Sequence, residues 1–120
     1  MKKIILIGAG GHASSCIEVI RSKKEFRVIG VVGKEDSKNL NKKVKFIKHK
    51  NFLDKKKQAE NLLIAIGQLK LGIEREKIFN FYKKNKFKFP VITSSTCYIS
   101  KDVKIGEGTI IMHNSFINTG

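Results

Sequence analysis

The chain has 120 residues, 41% of them hydrophobic, and a formal net charge of +15. That length corresponds to one domain, and the composition is globular, with no tract apolar enough to span a bilayer. The charge invites a nucleic-acid reading, but of the 25 Lys and Arg residues only Arg21, Arg27 and Arg75 are arginine. Bidentate recognition of bases and phosphates favours Arg. The lysines are spread through nearly every polar stretch, as on a solvated face, with one dense run at Lys55, Lys56 and Lys57. Nucleic acid is therefore set aside as the main partner, although a lysine surface raises the local concentration of anionic ligands such as nucleotides.

Cys16 and Cys97 are the only cysteines and form no C-x-x-C pair. This supports neither a disulfide framework nor a zinc site, and points to a reducing compartment. Met1-Lys2-Lys3 followed by Ile4 to Ile7 resembles the start of a secretory signal. The apolar run stops at Gly8, well short of the roughly 7–15 residues such a signal needs. The cytoplasm is the expected location, with no membrane partner.

In chain order, Lys3 to Ile7 is a β-branched apolar run that reads as a buried parallel strand. Gly8-Ala9-Gly10-Gly11 breaks it, and a helix is expected from His12 to Lys23, with Ala13, Cys16, Ile17 and Ile20 on one face. Arg27 to Val32 is a second strand ended by Gly33. Lys34 to Lys43 is polar loop, Val44 to Ile47 a short edge segment, and Asn51 the cap of a short helix to Gln58. Leu62 to Ile66 is another buried strand ended by Gly67. A helix from Ile73 to Lys84 carries Ile78, Phe81 and Tyr82 on one face. Phe87 to Ile92, interrupted by Pro90, is a last strand at an edge. Phe79, Phe81, Phe87 and Phe89 are expected to pack on the sheet rather than stack on a base. The alternation is that of a doubly wound α/β, Rossmann-like parallel sheet covering residues 1–92.

The last 22 residues have a different rhythm. Ile99, Ile105, Ile111 and Ile117 fall six apart, with Val103, Thr109 and Ser115 four places after the first three. A period of six fits neither helix nor flat strand. It fits a left-handed parallel β-helix, in which one six-residue unit covers one face of a triangular coil. Residues 93–120 are thus read as a joint and the first coil of such a solenoid.

Gly8-Ala9-Gly10-Gly11-His12-Ala13 matches G-x-G-x-x-[GA] between a strand and a helix. Gly8 permits the tight turn, Gly10 lets backbone approach a phosphate, and Ala13 lets helix and strand pack closely. Free N–H groups and the helix dipole then favour an anion there. The alternative is a turn that needs glycine only for its backbone angles. A dinucleotide site normally has an acid at the end of the second strand. Here that stretch reads Ile29-Gly30-Val31-Val32-Gly33-Lys34, with Glu35 and Asp36 past the strand. NAD is set aside, and a diphosphate nucleotide such as a nucleotide sugar fits better, with Lys34 in reach of a phosphate.

A glycine-turn α/β domain leading directly into hexapeptides resembles the bacterial sugar acetyltransferases of the NeuD and PglD type. The residues that carry the resemblance are Ile5-Leu6-Ile7-Gly8-Ala9-Gly10-Gly11-His12, then Leu63-Ile64-Ala65-Ile66-Gly67, then Ile99-Ser100 and the Ile105-Gly106 hexapeptides. The resemblance implies an acetyl-CoA-dependent transferase acting on a nucleotide-activated amino sugar or sialic acid, without metal. Its N-terminal domain would bind the UDP-sugar through Gly8, Gly10, Gly11, His12, Gly33, Lys34, Ile66, Gly67 and Gln68. Its solenoid would form a homotrimer with acetyl-CoA between neighbouring coils. A histidine paired with an acid, in an Asn-Thr…Glu-His stretch, would act as general base on the acceptor amine or hydroxyl, which must lose a proton to attack a thioester.

The sequence departs from the family in three places. The loop after the second strand lacks paired acids at Val32-Gly33-Lys34-Glu35, and Thr93-Ser94-Ser95-Thr96 stands where His-Pro-Ser-Ala is usual. No Glu-His pair occurs up to Gly120, so no catalytic residue is assigned in this chain. The alternatives are a non-catalytic nucleotide-binding module and a lysine-rich nucleic-acid binder. His12 is either a sugar-facing residue or a polar helix start. His113 is expected to face solvent or a trimer contact, and His49, between lysines, to lie on the surface.

Overall fold

The computed structural model describes residues 1–34, 44–52, 59–67 and 72–120. The expected helix from Asn51 to Gln58 falls mostly outside them, as do Glu35, Asp36 and Gln68. Four parallel strands form one sheet: β1 (Lys2–Ile7), β2 (Phe26–Gly33), β3 (Phe46–Lys48) and β4 (Asn61–Ile64), in the order β3-β2-β1-β4. β1 is central because both its faces are apolar. Ile4 and Leu6 point one way, into a core with Ala13, Cys16, Ile17 and Ile20 of helix α1 (Gly11–Arg21). Ile5 and Ile7 point the other way, toward Tyr82 of helix α2 (Gly72–Lys84), Phe87 and Phe89. Period-two alternation on a strand covered on both sides thus gives a doubly wound sheet.

Two expectations on the second face are corrected. Phe81 is 45% exposed, whereas Tyr82 is 2% exposed. The phase of α2 is set by an aromatic cluster in which Phe52, Tyr82 and Phe87 lie 5.6–5.8 Å apart between centroids. Turning Phe81 inward would turn Tyr82 out of it. Nor is Phe87 to Ile92 a continuous strand. Only Lys88 bridges to Asn61, in parallel sense, and the segment then leaves the sheet through Phe89 and Pro90.

Ile92 instead begins the coil. β5 (Ile92–Thr93) pairs with β7 (Ile110–Ile111), and β6 (Tyr98–Ile99) pairs with β8 (Phe116–Ile117), all in parallel. Every pair, such as Ile92 with Ile110 and Tyr98 with Phe116, joins residues three hexads apart in sequence. This is the start of a parallel β-helix, one hexad earlier than the isoleucines indicate. Thr93 holds the place that isoleucine fills in later hexads, which hides the first unit from a hydrophobic count.

The coil is seated on the α/β unit. Gly108, at φ +78°, donates its N–H to the Phe89 carbonyl at 3.0 Å and lies against Phe79. At the far end of α1, Lys23 Nζ donates to Thr93 Oγ1 at 2.5 Å, and the Ser95 N–H donates to Ser22 Oγ at 3.0 Å. No helix among the described residues is long and apolar enough to cross a membrane.

Candidate functional site

The C-terminal ends of the parallel strands open into a cleft of about 580 Å³. That is within the usual range for small-molecule sites. Gly8, Ala9 and Gly10 bring the β1–α1 turn to it. Val32, Gly33 and Lys34 bring the end of β2, His49 the end of β3, Ile66 the end of β4, and Ile78 a wall from α2. In α/β folds this is where ligands bind, because the connections diverge at the carboxyl ends of the strands.

The glycines of the turn have different reasons to be glycine. Gly8 sits at φ +132°, and a Cβ there would lie 2.5 Å from the Ala65 carbonyl oxygen. Its N–H donates to the Val32 carbonyl at 2.7 Å, so it ties β1 to β2 while passing under β4. Gly8 is glycine for the fold. Gly10 has φ −99°, open to any residue, and a Cβ on it or on Gly11 would meet nothing within 4 Å. Neither packing nor backbone angle requires glycine at these two positions. What they leave clear is the approach to the first turn of α1, which starts without a side-chain cap and without an acidic residue in its first turn. Its leading N–H groups are donors in want of an acceptor, at the positive end of the helix dipole.

Of the residues singled out from sequence, Gly8, Gly10, Gly33, Lys34 and Ile66 meet at the cleft. Gly11 opens α1 beside it. Gly67 follows Ile66, and a Cβ on it would reach only His12 Cβ, at 3.9 Å. His12 is half-buried, with Nε2 3.6 Å from Cys16 Sγ. Burial holds the Cys16 thiol up at about 11, against a smaller opposing effect of the Arg75 charge.

His49 is not simply a surface residue of a polar loop. β3 lies beside β2, and the 3-10 turn His49–Asn51 that follows it brings this exposed side chain to the cleft next to Lys34. Only its position one residue past a short strand hinted at this. His113 is exposed, as expected, but its Nδ1 lies 2.5 Å from Oγ of the buried Ser94. That pair joins residues from successive turns of the coil, and Thr96 Oγ1 lies 3.5 Å from the same nitrogen.

The sequence matches the PglD N-terminal domain family over residues 3–82. No match is found among curated proteins. Two solved structures illustrate the likeness in fold. A mutant perosamine N-acetyltransferase from Caulobacter crescentus, in complex with CoA and GDP-perosamine, superposes with a TM-score of 0.79 at 24% identity, covering 98% of this chain and 55% of that one. The acetyltransferase domain of PglB from Neisseria gonorrhoeae, in complex with acetyl coenzyme A, gives 0.81 at 20% identity, covering 96% and 55%. The chain therefore spans about half the length of these proteins.

Proposed function

Because the chain belongs to the PglD N-terminal domain family, we propose that it is the nucleotide-sugar-binding part of an acetyl-CoA-dependent sugar acetyltransferase. The observation that carries this reading is the contrast within the glycine turn. Gly8 is explained by the fold, while Gly10 and Gly11 leave open space over uncapped helix N–H groups at a cleft. A phosphate seated there accepts from these N–H groups without any side chain intervening. Lys34 adds a cation at the end of β2. The apolar walls of Ile7, Val32, Ile66 and Ile78 give the nucleoside and sugar surfaces to lie on.

The chemistry assigned to the protein is transfer of an acetyl group from the thioester to an amine or hydroxyl of the sugar. The α/β unit contributes position: a sugar held by its phosphates presents its acceptor group in a fixed place, which removes most of the entropic barrier to meeting the thioester. The coil is the platform for acetyl-CoA, and its assembly into a homotrimer is part of the proposal. The solved structures with CoA and GDP-perosamine or with acetyl coenzyme A support this reading.

Titration calorimetry of the chain with UDP- and GDP-linked amino sugars, with NADH as a control, tests it. Saturable binding of a nucleotide sugar, lost in Gly10→Ser and absent for NADH, is expected. Failure of every nucleotide sugar to bind, or binding indifferent to Gly10→Ser, would remove the site from the glycine turn.

A further inference from the structure

His49 lines the cleft, and the proposed function gives it no task. The last rungs of the β2–β3 ladder pair Val32 with Ile47 and Gly33 with Lys48. Lys34 and His49 each follow the last rung by one residue, so the parallel register sets them side by side at the cleft. The chain then turns away through the 3-10 turn His49–Asn51, where the Phe52 N–H donates to the His49 carbonyl at 3.4 Å. That turn fixes the backbone. The ring itself is exposed and, among the described residues, takes part in no hydrogen bond or ion pair.

Of the described residues that line the cleft, only Lys34 and His49 have polar side chains. The ammonium of Lys34 donates and cannot accept, whereas a neutral imidazole has one donor and one acceptor nitrogen. His49 is therefore the side chain of this lining that can accept a hydrogen bond. With a phosphate on the first turn of α1, the rest of a nucleotide extends toward β2 and β3 or toward β4 and α2. The second direction offers the apolar Ile66 and Ile78. In doubly wound sheets the ribose lies at the end of the second strand, where a carboxylate accepts from its hydroxyls. Here β2 ends in Val32-Gly33-Lys34, and a lysine cannot take a hydroxyl proton. A hydroxyl withdrawn from water without an acceptor weakens binding. The acceptor on this side of the cleft is His49, on the neighbouring strand.

We propose that His49 binds the nucleoside: its imidazole accepts a hydrogen bond from a ribose hydroxyl of the bound nucleotide, the task an acid at the end of β2 performs in dinucleotide sites. The inference rests on the nucleotide reading of the cleft and adds to it a residue from β3. A ligand without ribose hydroxyls gains nothing from His49.

The test is calorimetric titration of the wild-type chain, His49→Ala and His49→Gln with UDP and GDP and with their 2′,3′-dideoxy forms, which keep base and diphosphate and lack both hydroxyls. His49→Ala should weaken UDP and GDP roughly threefold to tenfold and leave the dideoxy forms within about twofold. His49→Gln, whose amide oxygen accepts, should recover part of the loss. Crossing variant with ligand isolates the single contact. Equal weakening of the ribose and dideoxy forms would mean that His49 meets phosphate or base. Unchanged affinity of His49→Ala for UDP and GDP would mean that it meets no part of the ligand. Either result overturns the assignment and leaves the nucleotide site intact. No binding of UDP or GDP by wild type would overturn the nucleotide reading and this inference with it.

Discussion

Replacing Gly8 and Gly10 one at a time separates the structural glycine from the functional one. In Gly8→Ala the new methyl would lie 2.5 Å from the Ala65 carbonyl oxygen and 2.8 Å from its carbon, at φ +132°. Backbone strain in a region reserved for glycine costs about 1–3 kcal/mol. Relieving the overlap requires the end of β4 to move away from β1, where Ala65 N–H bonds the Ile7 carbonyl at 2.8 Å, for roughly another 1–3 kcal/mol. A total of about 2–6 kcal/mol is a large part of the stability of a chain this size. It corresponds to a fall of roughly 8–24 °C in melting temperature. Gly10→Ser puts a preferred capping residue at the N-cap of α1, in open space, so stability should change by no more than about 0.5 kcal/mol. The serine hydroxyl then competes with an anion for the same N–H groups. Differential scanning calorimetry with and without UDP reads both effects. The expected result is that UDP stabilises wild type, and that Gly10→Ser melts like wild type but gains nothing from UDP. If Gly8→Ala melts within about 2 °C of wild type, the close approach of β4 is wrong. If Gly10→Ser is as unstable as Gly8→Ala, Gly10 is needed by the backbone and the argument for a ligand there fails.

Two further predictions concern stability. Cys16 is raised from 9.0 to about 11 by burial, so its neutral thiol is favoured in the folded state. The resulting stability is constant below about pH 9, where both states are protonated, and is lost between about pH 9 and 11 as only the unfolded chain ionises. The loss amounts to about 2–3 kcal/mol. Urea titrations across that range should show a slope that Cys16→Ala reduces, leaving the part that buried Tyr82, also raised by burial, contributes above pH 10; an unchanged slope would place its origin elsewhere. Lys86 occupies the left-handed position after α2 at φ +67°, where the Phe87 N–H reaches the Tyr82 carbonyl at 3.2 Å and the Lys86 N–H the Lys83 carbonyl at 3.0 Å. Glycine is favoured there, so Lys86→Gly should stabilise the protein by about 0.5–1 kcal/mol. A loss of stability on chemical denaturation would show that the lysine side chain contributes packing.

Local patterns were the legible part. The β1 run with both faces apolar, the glycine turn and the six-residue period each state their meaning within a few residues, and the Rossmann-like sheet and the β-helix start follow from them. Features set by distant contacts were not legible. His49 reaches the cleft only because β3 lies beside β2, a pairing a three-residue strand does not announce. Tyr82 packs inward as its place on the apolar face indicated, but Phe81 does not share that face, because Phe52 and Phe87 from other segments set the phase of α2 on Tyr82. The first hexad of the coil was hidden because Thr93, bound by Lys23, stands where later hexads carry isoleucine. Conversely, the tight turn read at Gly8 from the spacing alone agrees with its φ of +132°.

The most direct test of the central claim is two-dimensional ¹H–¹⁵N NMR of the chain during titration with a nucleotide sugar. The account predicts that the Gly10 and Gly11 amide signals move progressively and saturably, with that of Lys34, as phosphate oxygens accept from the first turn of α1. If these two amides stay in place while the ligand binds, or if no signal moves at all, the glycine turn is not the binding site.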